Sequence, residues 1–499
     1  MSDPADPPPQ PTAFAAAAAW LESAPATDPV AELPLLRQHL RALVDGDVPV
    51  PRLLELLAEL LPRAAAAEHA ARPHLLRTTL PLPRQLRSLA KALIDCEGVL
   101  AKSLMRIARD ADAADLAAAG ARRADIIASA LSHLATQLEA TLLTSLPTPP
   151  ALWSLAQRLY YMTYGYTSAQ APAPGHGGSA ELTLKIMLAM ATSHAEAHTP
   201  RQFDFLVRFA RRHAAKVELR IVPPGDVATW HWLEESRDLP PVAANRRSPP
   251  SDGRVLYFSC ADLAAACTAA LDRFSRGKPD PRDLPDAADA VDISGALRQS
   301  RNYWSSPPRG IQTRRLGSYA VEMCIDFARL WRQLNGDVEA DGLEPGGAAV
   351  SWTVVNESAG GYAVMNVGGG ISGIQSGSAV GLRNGADHPW SICLVRWARS
   401  DNPDHVELGL EVISPTAQAV RVANRKTGAS QPALLLPFPS QLDRAESILA
   451  PRGSYAVSAF TMIQDIAGRV RISYCIPQDL WIQTSSVEAY GFERDPMPL

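Results

Sequence analysis

The sequence predicts an α+β protein with a large N-terminal all-α helical region and a C-terminal part built from β-strands. Apolar residues recur at helical spacing from Ala13 to about Lys216. From Gly317 onward, strand-like runs alternate with turn residues at intervals of roughly ten, which is typical of a barrel or a sandwich. The 499 residues exceed the roughly 250–300 at which one hydrophobic core stops growing, so two or three domains are expected.

The helical region is predicted to span residues 13–300. Short connections favour an antiparallel bundle, and the lack of a fixed repeat weighs against a solenoid. The composition predicts a loop near 171–180 and a break near 240–252, followed by one short strand at 255–258 and further helices. The predicted helices of the first part are Ala13–Glu22, Asp28–Leu43, Val50–Ala66, Pro83–Ala118, Ala121–Leu143, Pro150–Tyr164, Glu181–His194 and Pro200–Ala214.

The strand-rich part divides into a first unit at residues 309–414 and a further β-rich unit at residues 415–499. The run Tyr319–Trp331 fits a helix or a long strand, and its place ahead of a polar turn favours a strand. In the last unit, Pro432–Pro437 lacks alternation, which suggests a strand buried on both faces or an ordered edge.

Composition and charge exclude several functions. The formal net charge of −4 gives no reason to expect nucleic-acid binding, which requires a concentrated basic face. The cysteines form no CxxC pair, which indicates small core residues in a reducing compartment instead of disulfides or zinc ligands. Met1–Thr12 lacks the basic flank and apolar run of a secretory signal, and no segment approaches the ~20 uninterrupted apolar residues of a membrane helix. We therefore expect a cytoplasmic protein without membrane insertion.

One polar turn carries the strongest functional signal. The segment 356–361 (NESAGG) separates the apolar runs 348–355 and 362–365. Short polar side chains and glycine between two strands allow the backbone to approach a flat ligand closely. An ordinary hairpin corner uses the same residues and is the simpler interpretation.

The strands that follow extend this signal. Runs with strand periodicity lie at 379–382, 390–399 and 406–413, and the last two contain VRW and GLEV. Together with the turn, this order resembles a PilZ domain, the receptor module for cyclic di-GMP. The resemblance covers residues 309–414 and implies a small PilZ-like β-barrel there.

The resemblance also implies a ligand site. PilZ domains bind the dinucleotide through an RxxxR motif before the first strand and a D/N-x-S-x-x-G turn. The turn is present in full, whereas Arg309 and Arg314 are one residue too far apart for RxxxR, and Arg314 and Arg315 directly precede a predicted strand. The implied ligand-binding residues are Arg309, Arg314, Arg315, Asn356, Ser358 and Gly361.

Arginine and short polar side chains suit this ligand chemically. A guanine presents O6 and N7 to a planar guanidinium, and a second arginine stacks on the ring. The phosphates of the dinucleotide add charge-assisted hydrogen bonds.

Three further patterns have a simpler structural interpretation. Residues 368–373 match GxGxxG, but the glycines lead into a strand, so a flexible hairpin loop is expected instead of a dinucleotide fingerprint. His194 and His198 lie four apart on a predicted helical face, a spacing that chelates metals, but without a third ligand nearby a pair at a helix end is favoured. The aromatic run 153–166 indicates bundle core more than a partner groove.

The resulting prediction is a bacterial cyclic di-GMP effector that needs no cofactor. Ligand binding would order the linker Gln299–Arg315 and change how the helical region meets an unknown protein partner. The alternative is a ligand-free interaction scaffold, which the missing RxxxR spacing supports. An enzyme is the weakest reading, because no catalytic motif is recognisable.

Overall fold

A helical region with a small sheet is followed by two closed β-barrels in the computed structural model. The structure describes residues 13–23, 28–46, 48–163, 178–251, 253–280, 282, 290–305, 315–336, 350–369, 371–402, 404–424, 428–437, 446–455, 459–466 and 468–495. This architecture confirms the predicted fold class.

Each predicted helix before residue 216 overlaps an observed one. The observed helices are α1 (Ala13–Leu21), α2 (Pro29–Asp45), α3 (Val50–Leu75), α4 (Arg84–Asp110), α5 (Ala113–Ala118), α6 (Arg123–Leu143), α7 (Leu152–Met162), α8 (Gly178–Thr192) and α9 (Pro200–His213). However, α3 continues to Leu75 instead of ending at Ala66, and α8 ends at Thr192 instead of His194. Trp153 and Tyr160 of α7 are buried in the bundle core, as expected, whereas Tyr164 and Tyr166 lie outside the described residues.

One predicted helix, Pro83–Ala118, is divided in two. α4 ends at Asp110, and Asp112 starts α5 by accepting a hydrogen bond of 2.7 Å from the backbone N–H of Asp115. An aspartate side chain that bonds to a nearby backbone N–H offers the chain an alternative to helix continuation.

Buried charges connect three helices of the bundle. Glu139 of α6 is 2% exposed and accepts hydrogen bonds from Arg72 of α3 and from Arg211 of α9, the second at 2.8 Å. Arg72 also donates to Asp204 of α9 at 2.6 Å. Among the described helices, α6 is long and apolar enough to cross a membrane, but 67% of its apolar window is buried in the bundle. With Glu139 inside, α6 is a core helix.

A small antiparallel sheet completes the helical region. Its strands are β1 (Glu218–Arg220), β2 (Trp230–Glu234), β3 (Val242–Ala243) and β4 (Val255–Ser259), in the order β1-β4-β2-β3, and α10 (Ala261–Ser275) and α11 (Ala290–Ser305) follow. The predicted strand is β4. β1 and β3 are too short for their periodicity to be recognised in the sequence, and β3 lies within the predicted break near 240–252. β2 is as long as β4, but all five of its residues are buried, so it lacks the alternation that marks a strand.

The first barrel is closed by six antiparallel strands. They are β5 (Arg315–Cys324), β6 (Val350–Ser358), β7 (Gly361–Val367), β8 (Ala379–Arg383), β9 (Ser391–Asn402) and β10 (His405–Ser414), in the order β10-β7-β6-β5-β8-β9. The strand predicted for Tyr319–Trp331 is wrong in its second half, which forms helix α12 (Phe327–Asn335). Asp326 caps this helix by accepting from the backbone N–H of Arg329 at 2.7 Å.

The second barrel repeats the topology of the first. Its strands are β11 (Gln418–Asn424), β12 (Ser430–Leu436), β13 (Ser447–Pro451), β14 (Phe460–Ile466), β15 (Arg469–Gln483) and β16 (Val487–Arg494), in the order β11-β12-β13-β16-β15-β14. When the strands are numbered along the chain within each barrel, both rings follow the cyclic order one, two, three, six, five, four.

Helix α12 packs between the two barrels. Leu330 lies against Gly381 of β8, where an added Cβ would be 2.5 Å from Leu330 Cδ1. The neighbouring Trp331 donates from Nε1 to the carbonyl oxygen of Val420 in the second barrel at 2.7 Å. The helix that the sequence pattern did not reveal therefore fixes one barrel against the other.

We predict that Arg72→Met lowers the free energy of unfolding by about 2–3 kcal/mol, because it leaves buried carboxylates with fewer partners. Urea denaturation measures this change. The matched control is Arg52→Met on the same helix, whose ion pair with Glu55 is exposed, and it should change stability by less than about 0.5 kcal/mol. Equal effects of the two substitutions would contradict a structural role for the buried network.

Candidate ligand-binding site

The predicted turn joins β6 to β7 at one end of the first barrel. Asn356 and Ser358 belong to the last residues of β6, and Gly361 is the first residue of β7. Ser358 is the cross-strand partner of Gly361, and its Oγ donates to the Gly361 carbonyl oxygen at 3.4 Å. All three residues are half-buried, so they remain partly open to solvent.

A β-bulge decides which way Asn356 faces. The register between β6 and β7 shifts by one residue between Val354 and Asn356, so that Val355 is the extra residue. Val354 is buried in the barrel core. Asn356 lies opposite Leu316 on β5 and opposite Ala363 on β7. Because opposite residues share a face and Leu316 is 92% exposed, Asn356 belongs to the outer face of the barrel.

This row of outer-face residues continues across the next two strands. Ala363 is opposite Gly409 of β10, and Gly409 is opposite Trp397 of β9. The Trp397 side chain lies directly on Gly409, where an added Cβ would be 1.9 Å from the indole Nε1. We call the residues Leu316, Asn356, Ala363, Gly409 and Trp397 the outer-face row. The indole therefore covers Gly409, and Ala363 lies between Gly409 and Asn356 in this row.

Arg396 brings a guanidinium group to the same face. A register shift between Gly409 and Leu410 leaves Arg396 as a bulged residue next to Trp397. Arg396 forms an exposed ion pair with Glu411, which is the cross-strand partner of Gly361. A positive charge thus lies beside the polar turn.

The structure describes one of the three predicted arginines. Arg315 is the exposed first residue of β5 and lies opposite Glu357. Because successive side chains of a strand alternate, Arg315 and Glu357 face away from Asn356. The structure brings Arg315 to the same barrel end as the turn, but onto the other face. Arg309 and Arg314 lie outside the described residues.

Glu357 is held on that other face by Tyr319. The Tyr319 hydroxyl donates to Glu357 Oε2 at 2.6 Å. Burial and this hydrogen bond raise the pKa of Tyr319, so its hydroxyl remains a donor at neutral pH. The carboxylate nearest to Asn356 in sequence is therefore directed away from the outer-face row.

Gly361 is required by the barrel itself. An added Cβ would be 1.9 Å from the carbonyl oxygen of Leu410 on the neighbouring strand β10. The sequence interpretation gave this glycine the role of leaving space for a ligand. The atoms closest to it belong to the protein backbone instead.

Arg399 links the outer-face row to the helical region. Its guanidinium lies over the Trp397 ring, 5.3 Å from the centroid, and its Nη2 is 3.3 Å from Glu196 Oε1. Glu196 lies in the short 3-10 turn Ala195–Ala197 between α8 and α9 and also contacts His194 Nδ1 at 3.3 Å. Burial raises the pKa of Glu196. The hydrogen bond with His194 and the nearby positive charges together outweigh burial and lower this pKa to about 2. Glu196 is therefore a carboxylate at neutral pH.

The loop between β7 and β8 docks on the helical region. Leu80 and Ile374 exchange backbone hydrogen bonds of 3.0 and 3.1 Å, and Ser376 Oγ donates to the Ala197 carbonyl oxygen at 2.8 Å. This loop contains the GxGxxG match, and in its described residues no helix follows the glycines, as expected. Its second half is a docking element instead of a free hairpin loop.

His198 is buried at the same junction. Its Nε2 is 3.2 Å from the Ser193 carbonyl oxygen and 3.3 Å from Ser300 Oγ of α11. The predicted placement of His194 and His198 on one helical face is wrong, because α8 ends at Thr192 and His194 adopts a left-handed backbone with φ 56°. Within the described ranges, no group of three or more potential metal ligands occurs.

The sequence analysis did not include Arg396, Trp397 and Arg399 among the candidate site residues. It used the VRW run as a strand and as part of the resemblance to PilZ domains. The available signal was a Trp in a strand flanked by arginines, with a glycine in the following strand to receive the indole. Only the register shows that these residues face Asn356.

Comparison with known proteins gives matches in both the helical region and the first barrel. The family described as "Cyclic-di-GMP receptor FimW, N-terminal domain" matches residues 15–224, and "Cyclic-di-GMP receptor FimW, middle PilZ domain" matches residues 343–419. The cyclic-di-GMP receptor FimW of Pseudomonas aeruginosa is 35% identical over 103 residues, which are 20% of this chain and 17% of that protein. The matched stretch thus spans less than a fifth of that relative. No solved structure gives a significant match.

We predict that Gly361→Ala lowers the free energy of unfolding by about 2 kcal/mol or more, because the new methyl group forces β7 away from β10. Urea denaturation tests this. Gly225→Ala is the control, since a Cβ there meets no atom within 4 Å. A loss below about 0.5 kcal/mol at position 361 would show that the two strands separate without cost.

A second prediction concerns the loss of stability at acidic pH that the buried His198 causes. Burial lowers the pKa of His198 from 6.5 to about 4, so between these values the unfolded chain binds a proton that the folded chain does not. Stability therefore falls as the pH drops from 6.5 to 4.5, by about 2 kcal/mol for this residue. Urea unfolding of His198→Gln should show a flatter pH dependence than the unsubstituted chain. The exposed His69 supplies the control: a dependence that His69→Gln flattens equally would refute the assignment.

Proposed function

We propose that this chain, in which residues 343–419 are a PilZ domain of the FimW type, binds cyclic di-GMP on the outer face of its first barrel. The observation that carries the proposal is the outer-face row. It combines a carboxamide at Asn356 with an indole at Trp397 that covers Gly409, and the guanidinium of Arg396 lies beside the polar turn.

These groups match the chemistry of a guanine dinucleotide. A flat base would stack against the Trp397 indole, and an aromatic neighbour stabilises a base by roughly 1–3 kcal/mol. The Arg396 guanidinium meets guanine O6 and N7 or a phosphate with two parallel hydrogen bonds. Asn356 and Ser358 supply short donors and acceptors for a base edge.

Glu411 is the partner that a bound anion would replace. The pair of Arg396 and Glu411 is 47% and 44% exposed, and such exposed pairs contribute only about 0–1 kcal/mol. Exchanging this carboxylate for a phosphate therefore costs little. We also propose that Arg309, Arg314 and Arg315 add contacts to the ligand, for which Arg315 has to reach it from the other face of β5.

The site belongs to the first barrel and not to the second. The second barrel has the same strand order, but its connection between the second and third strands, residues 437–446, reads PFPSQLDRAE and lacks the D/N-x-S-x-x-G turn. We therefore propose one dinucleotide site of this kind per chain.

Binding is proposed to act on the helical region, which would contact a protein partner. Arg399 stacks on Trp397 and pairs with Glu196, so a base that displaces the indole also moves a contact of the turn between α8 and α9. Ordering of the linker 299–315 is a second proposed route. We infer a non-enzymatic receptor in the cytoplasm, without a cofactor; the matched descriptions name a receptor, and the six buried, free cysteines suit a reducing compartment.

A ligand-free scaffold is the second candidate function. Two observations favour it: the upstream arginines lack RxxxR spacing, and Arg315 faces away from Asn356. In that case Glu411 would keep Arg396 paired permanently, and the barrel would serve only as a protein contact.

Isothermal titration of the full chain with cyclic di-GMP distinguishes the two functions. We expect binding at about one dinucleotide or one stacked pair per chain, and Asn356→Ala and Arg396→Ala should each weaken it about tenfold or more. The control is Arg383→Ala, which removes another Arg–Glu pair on the same barrel, to Glu322. It should leave the affinity within about twofold.

The double variant Arg314→Ala/Arg315→Ala separates the sources of positive charge. A loss in this variant alone assigns the ligand to the linker arginines and removes Arg396 from the site. If the unsubstituted chain gives no binding signal, receptor function must be given up in favour of the scaffold.

A further inference from the structure

An apolar groove opens on the helical region, outside the proposed nucleotide site. It has a volume of about 520 Å³ and lies between α3 on one side and α5 with the start of α6 on the other. Leu57, Leu104 and the buried side of Ile126 form its floor. We call it the α3–α5 groove. Its apolar lining residues are Pro51, Leu54, Leu57, Ala58, Leu61, Leu104, Ala118, Ala119, Ala121 and Ile126.

The groove has the dimensions of a short helix. Its α3 wall runs from Pro51 to Leu61, which at about 1.5 Å per residue is roughly 15 Å, or three helical turns. Leu54, Ala58 and Leu61 are spaced by four and three residues, so they form one stripe along the wall. Ala58 is exposed and the two leucines are half-buried, which leaves the groove open to solvent along its length.

The charged side chains that line the groove are all acidic. Glu55, Asp115 and Asp125 line it, and among the described lining residues there is no lysine, arginine or histidine. Glu55 and Asp125 pair with Arg52 and Arg122, but both pairs are solvent-exposed. Pairs of this kind contribute little, so these carboxylates are available to another cation.

We propose that the α3–α5 groove binds an amphipathic helix of a protein partner, with aliphatic side chains on one face and lysine or arginine along its edges. An apolar stripe of three turns between carboxylates is complementary to such a helix. Charge also argues against the chain's own N-terminus as the occupant. That segment precedes α1, whose Phe14 lies near the groove wall under Arg52, but residues 1–12 contain two aspartates and no basic side chain.

This inference does not depend on nucleotide binding. The groove is formed by helices that contribute no residue to the outer-face row. A chain that fails to bind cyclic di-GMP would still bind the helix, and the reverse result would leave the nucleotide site intact.

The test uses the full chain and two fluorescein-labelled peptides of about 14 residues, four helical turns. One peptide has leucine at helical spacing with lysine elsewhere, and the other has glutamate in place of every lysine. Fluorescence anisotropy should show that the basic peptide binds and the acidic peptide does not. Ala58→Trp, which fills the groove, should weaken binding at least tenfold, and Ala66→Trp on an exposed position of α3 outside the groove should not.

A charge-reversed variant makes the test independent of packing. Asp115→Lys/Asp125→Lys should weaken the basic peptide about tenfold and strengthen the acidic one. Equal binding of both peptides, no binding of either, or unchanged binding to Ala58→Trp would overturn the proposal. A dimer in analytical ultracentrifugation that Ala58→Trp dissociates would also overturn it, because a second copy would then be the occupant.

Discussion

The single extra residue at Val355 is the constraint on which the account of this protein depends. Side chains alternate along a strand, so without the bulge Asn356 and the core residue Val354 would share the inner face of the barrel. With the bulge, Asn356 faces outward opposite Leu316 and Ala363. A second bulge at Arg396 on β9 turns Trp397 to the same outer face. Two local irregularities therefore assemble one polar, aromatic and positively charged surface from an otherwise regular barrel.

The same surface is connected to the rest of the chain by few contacts. Arg399 bridges Trp397 and Glu196, and the loop that carries Ile374 and Ser376 adds backbone and hydroxyl bonds to the helical region. A bound ligand shifts an equilibrium only by its differential affinity for two states. The ion pair of Arg399 with Glu196 would change if the Trp397 indole moved, because Arg399 lies over that ring. The junction is thus a physical link between the proposed site and the helices, which carry a separate groove of their own.

Much of the fold could be predicted because its signals are local. The helical periodicity marked α9, whose first turn is capped by Thr199 and Gln202, and the turn at 356–361 marked the hairpin of β6 and β7. The break of α4 at Asp112 and the helix α12 depended on single capping aspartates, which the apolar pattern does not distinguish from continuation. The outer-face row escaped prediction for another reason. Its members come from five strands. Two bulges place them on a common face, and the positions of these bulges cannot be recognised in the sequence pattern.

The structure of the chain in complex with cyclic di-GMP tests the central claim most directly. The account predicts that the dinucleotide lies on the outer face of the first barrel, with a base stacked against the Trp397 indole and with Arg396 released from Glu411. Nucleotide bound at the inner face beside Glu357, or on the second barrel, would contradict it.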